Sequence, residues 1–141
     1  DIPSLCAWFD DLENAGAMPR AILYPLNPAD FVPLAVLTGS FVEDGVPGKL
    51  QLGPAWWFND SPYGMRQQLE YLGGVDLLAN LSGMVSDSRK LASYGSRHEM
   101  FRRTLSDVLA GMVARGRMPK KVAGQLARRL AYDNPKQLFG F

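Results

Sequence analysis

Residues 83–91 read GMVSDSRKL: an apolar segment runs without a break into an acid, a hydroxyl and a guanidinium. About 30 residues upstream, KLQLGPAWWFND (49–60) makes the same transition, with two tryptophans on the way. Each stretch reads as a short buried strand that ends in a polar cluster. In parallel α/β folds, chemistry collects at the carboxyl ends of strands, where the following loops and helix N-termini converge. The two clusters, with YPLNP (24–28) after an earlier strand, are therefore expected to share one rim.

The flanking pattern supports parallel strands. PSLCAWFDDLENA (3–15) spaces Leu5, Trp8, Phe9 and Leu12 as a helix, with Gly16 to end it. RAILY (20–24) is a strand; Asn27 and Pro28 open a helix to about Thr38, with Gly39 ending it. VEDGVPG (42–48) is a loop, KLQLG (49–53) a second strand, and Ser61–Pro62 opens a helix broken by Gly73 and Gly74. LSGMVS (81–86) is a third strand. Ser96 and Glu99 have capping-box spacing, which predicts a helix over 97–115; Pro119 opens another to about Tyr132, and DNPKQLFGF ends in a short turn. Alternating strands and helices with short connections predict right-handed βαβ units. Three strands are few for a doubly wound sheet and natural for the C-terminal part of a TIM-type (β/α)8 barrel. On this reading residues 1–96 are its last βα units, and residues 97–141 are a helical tail packed on it.

Composition sets further bounds. The chain has 141 residues, enough for a core. No apolar run is long enough to span a bilayer. The lone Cys6 cannot form an internal disulfide, which suits a reducing cytoplasm. The opening DIPSLCAWF lacks Met and starts within a helical pattern, so the chain is expected to be part of a longer polypeptide. A net charge of +1 hides an asymmetry: residues 1–96 carry five Lys/Arg against eleven Asp/Glu, and residues 97–141 carry ten against three. A basic helical segment suits nucleic acid. Here the basic residues follow helical spacing with few aromatics among them, which favours a solvated face or contact with an acidic surface of the same protein.

Asp87 at a strand end can bind a divalent metal or move a proton, and Arg89 can hold an anion. The plainer reading has Asp87 capping a turn and pairing with Arg89. Trp56 and Trp57, being adjacent, face opposite ways: one is core, and the other is either core too or the wall of a sugar pocket. His98, the only histidine, sits in a first helical turn as a structural residue. No Cys/His spacing, GxGxxG, Walker loop or GxSxG is present.

The combination of ILYPLNPAD, GKLQLGPAWWFNDSPYGMRQQLE, LSGMVSDSRKLASYGSRHEMFRR and YDNPKQLF resembles the C-terminal third of the uronate (glucuronate) isomerase family, a branch of the amidohydrolase superfamily. The resemblance runs from about Ile22 to Phe139. It implies a (β/α)8 barrel with one divalent metal ion, zinc being expected. It implies interconversion of D-glucuronate with D-fructuronate and of D-galacturonate with D-tagaturonate. It also implies that Asp87 is the acid at the end of the eighth strand, a metal ligand suited to proton transfer. Arg89 would lie near the substrate's polar groups, and Trp56 and Trp57 would be the tryptophan pair of the preceding strand end. The family's metal-binding His-x-His follows a first strand that this chain does not contain. Lys90 stands where a small polar residue is usual, and an extra residue precedes Arg97. The expectations are a cytoplasmic homo-oligomer with a small-molecule uronate substrate, no membrane and no nucleic-acid partner, inactive without the N-terminal part of the barrel. The competing reading is a non-catalytic, self-associating α/β interaction module.

Overall fold

The computed structural model describes residues 1–42 and 48–141. The chain forms two compact units, residues 1–53 and residues 54–141. Most of the expected loop 42–48 lies outside the described residues.

In the first unit, helix α1 (Ile2–Asn14) is capped by Asp1, whose side chain accepts from the Ser4 N–H at 2.9 Å. Strand β1 (Ala21–Leu23) is followed by a 3-10 turn, Pro28–Asp30. Asn27 caps that turn by accepting from the Ala29 N–H at 3.0 Å, and the turn feeds helix α2 (Phe31–Ser40). Gly39 lies inside α2 rather than ending it. Strand β2 (Leu50–Leu52) returns parallel to β1, in the register Ala21↔Leu50, Ile22↔Gln51, Leu23↔Leu52. The result is one βαβ unit. Its core is Phe9, Leu34, Ala35, Leu37, Phe41, Leu50 and Leu52. Only Phe9 of the four α1 positions with helical spacing is buried; Trp8 is 53% exposed. Gln51 points inward and donates to the Gly48 carbonyl at 2.9 Å.

The second unit is helical. Ser61 caps helix α3 (Pro62–Gly74), accepting from the Gly64 N–H at 3.1 Å, with Pro62 at the first position. A side chain at Gly64 would put its Cβ 2.5 Å from the Asn59 carbonyl oxygen, so glycine is what seats the first turn of α3 against the preceding loop. Helix α4 (Leu91–Ala114) buries Phe101, Thr104, Leu105, Val108, Leu109 and Met112 in a 3–4 periodicity, and it packs on α3. The two helices run parallel. Asp60 pairs with Arg97, Arg66 pairs with Asp107 at 3.0 Å, and a Cβ on Gly73 would lie 3.2 Å from the Met112 sulfur, so matching positions climb together. Helix α5 (Lys120–Arg128) passes through a π-helical turn, Arg129–Asp133, into helix α6 (Asn134–Phe139). Arg97, Arg102, Arg103 and Arg128 of the basic segment each pair with an acid of this unit.

Two expectations are corrected. The third strand does not form: among the described residues the sheet has two strands, and 81–86 is irregular. Gly83 turns the chain at φ +95°, and carbonyls that a ladder would use are taken by side chains. Asn134 donates to the Leu81 carbonyl at 2.9 Å, and Arg97 donates to that of Ser86. The long helix begins at Leu91, six residues before the expected start, so Ser96 is no cap. Ser93 and Ser96 instead donate back to the carbonyls of Lys90 and Ser93, and Glu99 pairs with Arg102 and Arg103. Among the described residues no helix is long and apolar enough to cross a membrane.

Candidate functional site

Both sequence clusters fall in the second unit, at the N-terminal ends of α3 and α4. Trp56 is extended (φ −148°). Trp57 then takes a left-handed φ of +57° and starts the 3-10 turn Trp57–Asn59, which the Asp60 N–H closes onto the Trp57 carbonyl at 3.1 Å. A positive φ in a bulky aromatic residue is an outlier, and such strain gathers at functional positions. The indole rings of Trp56 and Trp57 lie 5.6 Å apart at 41°, so they do not face opposite ways. Trp56 is half-buried and Trp57 is 67% exposed; neither is a core tryptophan.

The second cluster follows Gly83, which is held against the tail. A Cβ on Gly83 would sit 2.4 Å from the Leu130 carbonyl oxygen in the π-helical turn. Asn134 donates to the Ala79 and Leu81 carbonyls, both at 2.9 Å. Four residues after Gly83, Asp87 is also left-handed, with φ +45°. Its side chain is exposed, as is that of Arg89, and no ion pair joins the two among the described residues. The turn-capping pair of the plainer reading is not present among the described residues. Between them the Ser88 hydroxyl is buried and has no hydrogen-bond partner among the described residues.

Arg97 brings the clusters together. It lies in the second turn of α4; one terminal N–H of its guanidinium donates to Asp60 Oδ1, and its Nε–H donates to the Ser86 carbonyl. The side chains of Arg97 and Asp60 are 23% and 20% exposed. Spacing alone does not single out Arg97, although a signal is present in the sequence. It precedes Phe101 by four residues and so stands on the buried stripe of α4, where a charge needs a partner. His98, one residue on, is exposed.

As a metal site the described residues fall short. No group of three His, Cys, Asp or Glu residues comes together among them. The Asp60 carboxylate is engaged by Arg97, which leaves Asp87 as one exposed carboxylate. A catalytic zinc takes three protein ligands. A concavity of about 350 Å³ lined by Gly73, Asp76, Met112, Arg117 and Leu126 lies at the C-terminal ends of α3 and α4 and includes none of the candidate residues. The void of about 10 Å³ next to Met65 and Phe101 is too small for a ligand.

Uronate isomerase of Bacillus pumilus is 43% identical over 139 residues, covering 97% of this chain and 29% of that protein. Uronate isomerase of Thermotoga petrophila is 49% identical over 120 residues, covering 85% of this chain and 25% of that protein. The chain thus spans less than a third of the relatives it matches. The crystal structure of uronate isomerase from Thermotoga maritima superposes with a TM-score of 0.81 at 45% identity, over 92% of this chain and 28% of that one. That of glucuronate isomerase from Caulobacter crescentus gives 0.76 at 35%, over 86% and 24%. The glucuronate isomerase family model matches residues 2–139, and the chain belongs to that family.

Proposed function

We propose that this chain is the C-terminal part of a uronate isomerase and that it contributes the last units of a (β/α)8 barrel, with residues 97–141 as a helical segment packed on it. The reaction interconverts D-glucuronate with D-fructuronate and D-galacturonate with D-tagaturonate. The parallel pair β1–β2 and the parallel helices α3 and α4 are what successive βα units of a barrel would contribute. The observation that carries the functional reading is the meeting of the WWFND and SDSR segments on one guanidinium.

These side chains supply part of what the chemistry asks for. A proton leaves C2 of the aldose while O1 gains one, giving an enediol. The C2 hydroxyl then loses its proton as C1 is protonated, with no net oxidation. The exposed Asp87 carboxylate is the group suited to carry the carbon-bound proton. Arg89 faces either the substrate carboxylate or the developing oxyanion, and both suit a guanidinium. The exposed face of Trp57, beside Trp56, is shaped to lie against the CH face of a sugar. A divalent metal ion, zinc being expected, would supply further charge stabilisation. Of its ligands the described residues offer only Asp87, so they do not hold it alone, and a His-x-His from the N-terminal part of the barrel would complete the set. The 141-residue chain by itself is therefore inactive on this reading. The full protein would be a cytoplasmic homo-oligomer.

The test is an isomerase assay of the full-length gene product with both uronates, with and without a chelator, comparing wild type with Asp87→Asn. Ketose formation by the wild type and its loss by a few orders of magnitude in the variant are expected. No ketose from either substrate would mean that the fold has been kept without this reaction.

A further inference from the structure

We infer that Arg97 is a positioning residue: its guanidinium sets the backbone at Asp87 and, through Asp60, the turn that carries Trp57. The catalytic consequence rests on the function proposed above, whereas the structural part stands without it.

The φ angle of Asp87 is the rotation about its N–Cα bond, so it follows from how the Ser86–Asp87 peptide plane is turned. The Ser86 carbonyl lies in that plane, and Arg97 Nε–H donates to it. The local support is weaker: the Ser88 N–H reaches Ser86 Oγ at 3.5 Å, at the limit of a hydrogen bond. A left-handed backbone is disfavoured for an L residue by contact of Cβ with the following carbonyl, although Asp tolerates it better than most. Held at φ +45° with little local help, Asp87 depends on the contact that arrives from α4.

The other arm works alike. Trp57 at φ +57° opens a turn that Asp60 closes, and Asp60 is the residue that the guanidinium grips. The segments that carry the two left-handed candidate residues are thus fastened to the same side chain. The pair is largely shielded, so water does not readily replace it. Arginine suits the task because its donors form a rigid planar fork that can serve a carbonyl and a carboxylate at once. Lysine presents its donors from a single nitrogen.

The experiment has two arms. In the 141-residue chain, backbone NMR compares wild type, Arg97→Lys and Asp60→Asn. Expected are shifts at Asp87, Ser88 and the Trp57 indole in Arg97→Lys, with the α4 core residues Val108 and Leu109 unmoved. Smaller changes are expected in Asp60→Asn, which keeps an oxygen acceptor. In the full-length protein, Arg97→Lys is expected to lower kcat by about 10²-fold, since misplacement of about 1 Å costs that much, with a smaller rise in KM from the displaced Trp57. Circular dichroism verifies that each variant is folded. Unmoved Asp87 resonances in Arg97→Lys, or a kcat within about twofold of wild type in a protein that does isomerise uronates, would overturn the inference. If the wild type forms no ketose, the proposed function fails, and the NMR arm still decides the role of Arg97.

Discussion

Replacing Gly83 with alanine tests how the candidate site is attached to the rest of the second unit. Two penalties combine. An L residue forced to φ +95° loses about 1–2 kcal/mol to backbone sterics. The new Cβ would also lie 2.4 Å from the Leu130 carbonyl oxygen, a separation that real Cβ atoms essentially never show. That oxygen belongs to a π-helical turn and cannot swing aside like the end of a side chain; overpacking of this kind costs about 1–3 kcal/mol. The sum is about 2–5 kcal/mol, which lowers the melting midpoint of a domain this size by about 10 °C or more. Gly116→Ala is the control: its φ is +69°, and no atom lies within 4 Å of the added Cβ, so only the backbone penalty applies. Urea unfolding in a Trp8→Phe background, with Trp56 and Trp57 as reporters of the second unit, measures both. Equal losses, within about 0.5 kcal/mol, would refute the claim that Gly83 is required by its contact with the tail.

Other perturbations separate strong from weak interactions. Asn134→Ala removes two 2.9 Å bonds to the Ala79 and Leu81 carbonyls and should cost about 2–3 kcal/mol by urea titration, at about 1 kcal/mol per bond plus the stranded acceptors. Arg66→Ala breaks an exposed 3.0 Å pair with Asp107 and should cost less than about 1 kcal/mol in the same titration. Hydrogen bonds from Arg103 and then Arg102 hold the Glu99 carboxyl below its usual range. The small stabilisation this provides is complete above the unfolded Glu value and fades as pH falls through the lower folded one. The acid limb of a helix melt followed by circular dichroism should therefore flatten slightly in Glu99→Gln. Partial burial raises the Tyr24 phenol above its ordinary value, so a spectroscopic titration should lose amplitude on its alkaline side in Tyr24→Phe.

How much of this was legible in the sequence depended on whether the deciding interactions were local. The βαβ unit was legible because Asn27 and Pro28 mark the helix start and ILY and KLQL are short apolar runs. The start of α3 was legible for the same reason: Ser61 caps it and Pro62 opens it, both within a few residues. LSGMVS also looked like a strand. Its carbonyls, however, are claimed by Arg97 and Asn134, from 11 and 53 residues away, and no local pattern announces that. Leu91 made a poor helix start on paper, with no side-chain cap at Lys90, yet α4 begins there. In the site, Asp87, Arg89, Trp56 and Trp57 were nominated by cluster and resemblance. The residue that links the clusters was overlooked because an arginine on an apolar stripe reads as noise until its partners are known.

The clip made by Asn134 also sets a timetable for biosynthesis. The carbonyls it engages are 53 and 55 residues earlier in the chain. At a synthesis rate of about 5–20 residues per second, they wait roughly 3–10 s for their partner to be made. Throughout that interval the Gly83 segment has no tail to dock on, and its carbonyls are left to solvent. The stretch bearing Asp87 is therefore among the last parts of the second unit to mature on the ribosome. Synonymous codons that slow translation between residues 90 and 134 would lengthen the exposure of a nascent chain to proteases and chaperones without altering a single atom of the finished protein.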